Sequence, residues 1–152
     1  MNTGVAIKSI ISPLVITASP DETIQHVKER LLKYGFHHIP VVAQGKVVGM
    51  ISQSDIQLME HHFTLFHTTE AERSNQQIFT TILAREIMAT PVMQISGDEP
   101  ISKAVDIFLA NILHALPVIN DKSQLIGIIT PVDLLHFAFI TNADRSNKII
   151  NT

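Results

Sequence analysis

Two short stretches of the chain carry the same chemistry. Gly49-Met50-Ile51-Ser52-Gln53-Ser54-Asp55 and Gly127-Ile128-Ile129-Thr130-Pro131-Val132-Asp133 both read glycine, two aliphatics, a hydroxyl residue, two variable residues and aspartate. The aliphatic pair predicts the end of a strand, and Ser52 or Thr130 then stands at the N-cap of a following helix. Pro131 suits the first helical position. A helix N-terminus offers free backbone N–H groups and partial positive charge, which fit a phosphate. An aspartate on its first turn can accept hydrogen bonds from ribose hydroxyls. The same Ser-x-x-Asp spacing is close to a capping box, which needs no ligand. Both readings stay open on the residues alone.

The chain has eight histidines: His26, His37, His38, His61, His62, His67, His114 and His136. His37 and His38 stand just before an aliphatic-Pro-Val run, either as a polar strand entry or as a phosphate contact. A neutral imidazole can donate a hydrogen bond, and a protonated one adds charge. Glu60, His61, His62 and His67 are the best metal candidates, but no His-x3-His pair exists to put two ligands on one helix face. No metal site is expected, and these residues read as solvated or dimer-contact positions. There is no Walker-type loop, no Gly-x-Ser-x-Gly elbow and no cysteine. Asp55 and Asp133 occupy matched places, whereas paired acid–base carboxylates need unlike environments. The residues therefore argue against an enzyme.

The 152 residues are 45% hydrophobic and 16% charged, with a formal net charge of −3. That composition suits a globular protein rather than a disordered one. Nothing in it would neutralise a nucleic-acid backbone. Absence of cysteine removes disulfides and thiolate chemistry together. Residues 1–11 carry only Lys8 and lack the apolar core of a signal peptide. Residues 134–140 are apolar but interrupted by His136 and far too short to span a bilayer. A cytoplasmic protein without membrane contact is the simplest expectation.

The elements that must position these residues come as one unit written twice. Pro13 matches Pro91, Pro40 matches Pro117, Gly49 matches Gly127 and Asp55 matches Asp133. The offset changes by one residue in an acidic turn and back again in a later hairpin, where length is tolerated. Each unit reads strand–helix–strand–strand–helix. Residues 14–17 form a short β-branched run between prolines. Ser19 or Asp21 can cap a helix over about 23–34, whose Ile24, Val27 and Leu31 share one face. Gly35 ends it. The second helix repeats this with Ile101, Ala104, Val105, Phe108, Leu109 and Ile112. The pairs 39–42 with 47–51, and 116–119 with 125–129, predict buried hairpins. A proline inside such a strand belongs at its start or on an edge. The helix starting at Ser52 is expected to run to about residue 68, residues 69–77 to be a polar loop, and residues 78–88 a helix leading into the second copy.

The helix, the aliphatic-Pro-Val strand and the Gly-aliphatic-aliphatic-Ser/Thr-x-x-Asp stretch together resemble CBS repeats. The likeness covers about residues 5–56 and 80–140, a CBS pair or Bateman module. More narrowly, the chain is similar to acetoin-utilisation-type CBS proteins. The resemblance implies an α+β fold in which two β-α-β-β-α repeats pack about a pseudo-two-fold axis. It divides the chain into a first repeat with extended C-terminal helix (5–68), a linker (69–79), a second repeat (80–141) and a tail (142–152). It implies two clefts for AMP, ADP, ATP or S-adenosylmethionine, with no obligatory cofactor. Carried over residue by residue, Ser52 and Asp55 serve one cleft and Thr130 and Asp133 the other. Ile39 and Pro40, and Leu116 and Pro117, would line the base pockets. His37 and His38 stand where some relatives place a basic pair for phosphate. His114 and Ala115 occupy that place in the second copy, which implies weaker binding of charge there.

The expected function is a ligand-binding regulatory module acting on an unknown partner protein. The alternatives are a ligand-free dimerisation module and a small metal-dependent enzyme. A homodimer is expected through residues 56–66 and 134–140, where Leu58, Met59, Phe63, Leu65, Phe66, Leu135, Phe137 and Phe139 exceed what one small core can bury.

Overall fold

The computed structural model describes residues 4–11, 15–63, 77–111 and 113–140. The expected helix beyond residue 63, the loop up to residue 76 and the tail from residue 142 lie outside these. The chain divides into two compact units, one of Ile16–Val92 and one of Met1–Val15 with Met93–Thr152.

In the first unit, helix α1 (Ile24–Tyr34) buries Ile24, Val27 and Leu31. That is the face their spacing predicts. Its N-cap is Thr23, with no side-chain cap bond, rather than Ser19 or Asp21. Ser19 and Glu22 instead close a local turn. The Ile24 N–H finds a tertiary acceptor, the Ile82 carbonyl, at 2.9 Å. Gly35 ends α1 at φ 65°, ψ 25°, a left-handed conformation that glycine adopts without strain.

Strands β1 (His38–Ala43) and β2 (Lys46–Ser52) pair antiparallel from His38 opposite Ser52 to Ala43 opposite Lys46. Gln44 and Gly45, at φ 51° and 79°, make the primed turn that matches strand twist. Pro40 sits within β1 rather than at its start. It fits because, among the described residues, β1's other side meets an isolated parallel bridge at Ala18, where Pro40 need only accept. The strand expected over 14–17 reduces, in the described residues, to that bridge. Helix α2 (Gln53–Phe63) follows directly.

Residues 77–89 then fold back on this same unit. They are not one helix: a helical turn at 77–79 and a short helix α3 (Ala84–Ile87) flank an extended step. The Ala84 and Arg85 N–H groups donate to the Glu22 and Pro20 carbonyls, so this backbone pairs with the start of α1 rather than with itself. Phe79 is 1% exposed within the core of Ile24, Val27, Leu31, Ile39, Val41 and Ile51.

The second unit mirrors this. Strand β3 (Ile95–Ser96) lies parallel to β4 (Leu116–Ile119), which pairs antiparallel with β5 (Leu125–Ile129). Helix α4 (Ile101–Asn111) buries Ile101, Ala104 and Phe108. Helix α5 (Pro131–Phe139) starts after Thr130. A 3-10 turn at Ile7–Ser9 completes the core: Ile7 is wholly buried among Ile95, Ile101, Leu116, Val118 and Ile129. Ile7 and Lys8 donate to the Glu99 and Gly97 carbonyls, both at 2.9 Å. Ala6 bridges Pro100 just as Leu83 bridges Thr23. The opening segment of each repeat thus packs with the strands of the other one. Division by repeat at 5–68 and 80–141 and division by packing therefore differ. Sequence order groups residues 5–11 with the first repeat, but the pocket that buries Ile7 is made by the second.

Lys8 pairs with Asp98 at 2.6 Å on an exposed edge. The Asp98 carboxylate raises the Lys8 ammonium above its ordinary value. Such a surface pair contributes little to stability.

Candidate functional site

Both hydroxyl–aspartate stretches form the same closed cap. The Ser52 N–H and hydroxyl donate to Asp55 Oδ2 at 2.8 and 2.6 Å, and the Asp55 N–H donates back to Ser52 Oγ at 3.1 Å. The Thr130 N–H and hydroxyl donate to Asp133 Oδ2 at 2.8 and 2.6 Å, and the Asp133 N–H returns to Thr130 Oγ1 at 3.3 Å. These are reciprocal capping boxes with aspartate in place of glutamate. Each carboxylate uses one oxygen, and Oδ1 makes no hydrogen bond among the described residues. All four residues are half-buried.

The caps leave few backbone donors. The Gln53 N–H, first in α2, donates to the His37 carbonyl at 2.9 Å. Pro131 at the same place in α5 has no N–H. The third-position amides are the Asp55 and Asp133 donors above. What remains for an anion is the second amide, Ser54 or Val132, next to a dipole already facing a carboxylate. The expectation of an open phosphate cradle is narrowed accordingly.

The remaining sequence-derived residues separate into two groups. His38 lies directly opposite Ser52 in the ladder, at the spacing where side chains on one face meet. His37 is exposed and enters the site through its backbone. In the second unit the ladder ends at Leu116 opposite Ile129, with Ala115 and Thr130 the next residue on each strand. A methyl group thus stands where the first unit has imidazole, and His114 before it is exposed. Ile39 and Leu116 are 0% exposed and belong to the two cores. Pro40 and Pro117 are buried beside them.

Sequence reasoning missed Met88 and Ile11. A methyl added at Gly49 would overlap the Met88 side chain, with its Cβ at 2.8 Å. One added at Gly127 would overlap Ile11, with Cγ1 and Cβ at 3.1 and 3.3 Å. A matched glycine inside each strand was the available signal, since glycine there marks a close approach.

Among the described residues, no group of three His, Asp or Glu side chains is placed to hold a metal. Glu60 pairs with Lys28, while the His62 side chain and His67 lie outside the description. No described helix is long and apolar enough to cross a membrane. Of the expected dimer-contact residues, the Phe63 side chain, Leu65 and Phe66 lie outside the description. Met59, Leu134 and Phe137 pack on the cores. Leu58, Val132, Leu135 and Phe139 are exposed.

Mixed helix and strand units, each with an aliphatic hairpin leading into a hydroxyl–aspartate cap, define a tandem CBS pair. The CBS domain matches residues 7–59 and 84–139, and the chain belongs to that family. It is 31% identical to the uncharacterized protein MJ1225 of Methanocaldococcus jannaschii over 81% of this chain and 43% of that one. The solved structure of MJ1225 matches with a TM-score of 0.76, at 27% identity, covering 91% of this chain and 49% of that one. The CBS pair of MJ0100, solved with 5′-methylthioadenosine and S-adenosyl-L-methionine, shares the fold at TM-score 0.67 and 24% identity, covering 88% and 95%. CBSX2, solved with AMP, shares it at 0.73 and 17%, covering 89% and 96%. The chain spans less than two thirds of the length of the curated relatives it first matches, and only 24% of an inosine-5′-monophosphate dehydrogenase from the same archaeon.

Proposed function

We propose that this chain is a regulatory module that binds an adenine nucleotide or adenosyl compound at its two hydroxyl–aspartate caps and performs no catalysis. One observation carries the reading: the same cap is built twice, and each aspartate has one carboxylate oxygen, Oδ1, that makes no hydrogen bond among the described residues and can accept from ribose hydroxyls. The AMP and S-adenosyl ligands of CBSX2 and MJ0100 support the choice of ligand class. His37, His38, Ser52 and Asp55 serve the first site. His114, Ala115, Thr130 and Asp133 serve the second.

Calorimetry with AMP and with S-adenosylmethionine tests this. Asp55→Ala and Asp133→Ala lose cap and ligand together, so a thermal melt falls in each, by about 0.5–2 kcal/mol for a lost cap. Asparagine separates the roles. Its carbonyl can still take the two donations from residue 52 or 130, while its amide replaces the available oxygen with a donor. Asp55→Asn and Asp133→Asn should keep most of the stability. Each should lose roughly tenfold or more in affinity at one site, the worth of one charge-assisted hydrogen bond. Asparagine variants that bind as well as wild type would leave the caps purely structural.

The first site should also respond to pH. A bound phosphate favours protonated imidazole at His38, so AMP affinity rises as pH falls from about 8 to about 6. Adenosine, lacking phosphate, serves as the control. His38→Ala should flatten the AMP profile, and a flat wild-type profile removes the histidines from phosphate contact.

A second reading, dimerisation, is favoured by the exposed Leu58, Val132, Leu135 and Phe139. We expect light scattering to report twice the 16.8 kDa of the chain, and Leu135→Asp with Phe139→Asp to halve it. A wild-type mass of one chain at micromolar concentration rejects the dimer.

A further inference from the structure

Each strand that ends in a cap is gripped, three residues earlier, by a segment that leads into the other repeat. In β2, Gly49 lies against Met88, and Met50 exchanges backbone hydrogen bonds with Ala89: Ala89 N–H to Met50 O at 2.9 Å, Met50 N–H to Ala89 O at 3.2 Å. The strand then runs through Ile51 to Ser52. In β5, Gly127 lies against Ile11, and the strand runs through Ile128 and Ile129 to Thr130. Ile7 and Lys8, in the same segment as Ile11, are bonded to Glu99 and Gly97. An added carbon at either glycine would force the Met88 or Ile11 side chain to shift. Interiors packed this closely transmit small displacements instead of absorbing them.

We propose a crossed read-out of the two caps. The cap at Ser52–Asp55 sets how firmly residues 82–89, the entry to the second repeat, are docked. The cap at Thr130–Asp133 sets how firmly residues 5–11, the entry to the first repeat, are docked. Occupancy of one cap is therefore exported to the segment that opens the opposite repeat. The direction follows from the swapped packing, because the strand carrying each cap shares its backbone or its glycine notch with that segment. In its ligand arm the proposal rests on the reading under Proposed function; in its mutational arm it does not.

Hydrogen exchange on the full chain tests it. Asp55→Ala should speed exchange at Ala89 several-fold more than at Ile7 and Lys8, and Asp133→Ala should do the reverse. AMP should slow exchange at the same amides, with Asp133→Ala abolishing the effect at Ile7 and Lys8. Variants that loosen their own opening segment, both segments equally, or neither, overturn the proposal. AMP that binds by calorimetry yet leaves both segments unchanged also overturns it, while the binding reading survives. A crossed mutational pattern without AMP binding sustains the coupling and removes the ligand reading. Should an alanine variant fail to fold, Gly127→Ala serves instead. It should speed exchange at Ile7 and at Asp133 together, and Ile11→Ala in the same chain should restore both. Failure of that rescue overturns the proposal equally.

Discussion

Replacing Ile7 by alanine is expected to destabilise the unit built from residues 93–140, although Ile7 stands in the opening segment of the first repeat. The side chain is wholly buried among Ile95, Ile101, Leu116, Val118 and Ile129. Truncating a buried isoleucine removes its transfer energy and leaves a cavity that neighbours only partly fill, at about 2–5 kcal/mol. For a chain of this size that corresponds to a drop of roughly 4–20 °C in melting temperature. Hydrogen exchange should locate the loss, with protection falling over residues 95–139 more than over residues 24–60. Equal losses in both ranges, or a larger loss in the first repeat, would contradict the packing of the 3-10 turn.

Phe79→Ala should produce the opposite pattern and a larger effect. Phe79 lies in a short helical turn ahead of the second repeat, yet its ring is 1% exposed in the core formed by α1, β1 and β2. Lys28, ion-paired with Glu60, sits with its ammonium 5.7 Å from the ring centroid. The substitution removes a large apolar group and a cation–π partner, at about 3–5 kcal/mol for the ring alone. Protection should fall chiefly over residues 24–60. Phe79→Leu, which keeps most of the volume, should recover much of the loss. A near-neutral Phe79→Ala would place the ring outside that core.

The amino-acid order alone was enough for the repeat, the helices and the hairpins. Ile24, Val27 and Leu31 declare a buried helical face by spacing and are buried; in the second helix Ile101, Ala104 and Phe108 are buried, Val105 is partly covered, and Leu109, on the same spacing, is 79% exposed. Gly35 and Thr130 declare a helix end and a helix start through conformations and hydrogen bonds confined to a few neighbouring residues. Ser-x-x-Asp likewise declared its cap, because the bonds involved reach only three residues along the chain. All of these are local, and local physics is written in local sequence.

Tertiary structure alone decided which core each connecting segment would join. Residues 78–88 carry enough apolar side chains to suggest a continuous helix, but their backbone pairs with Pro20, Glu22 and Ile24 and is extended between two short turns. Ile7 and Phe79 could be read as hydrophobic, but not as members of the opposite repeat's core, since burial depends on distant partners. Ile39 and Leu116 could be read as apolar, but a strand apolar on both faces does not announce which face is covered, and only the folded chain buries both residues completely. The same limit applies to Gly49 and Gly127. Their match between repeats was visible, but only the folded chain supplies Met88 and Ile11 to fill the space that a missing Cβ leaves.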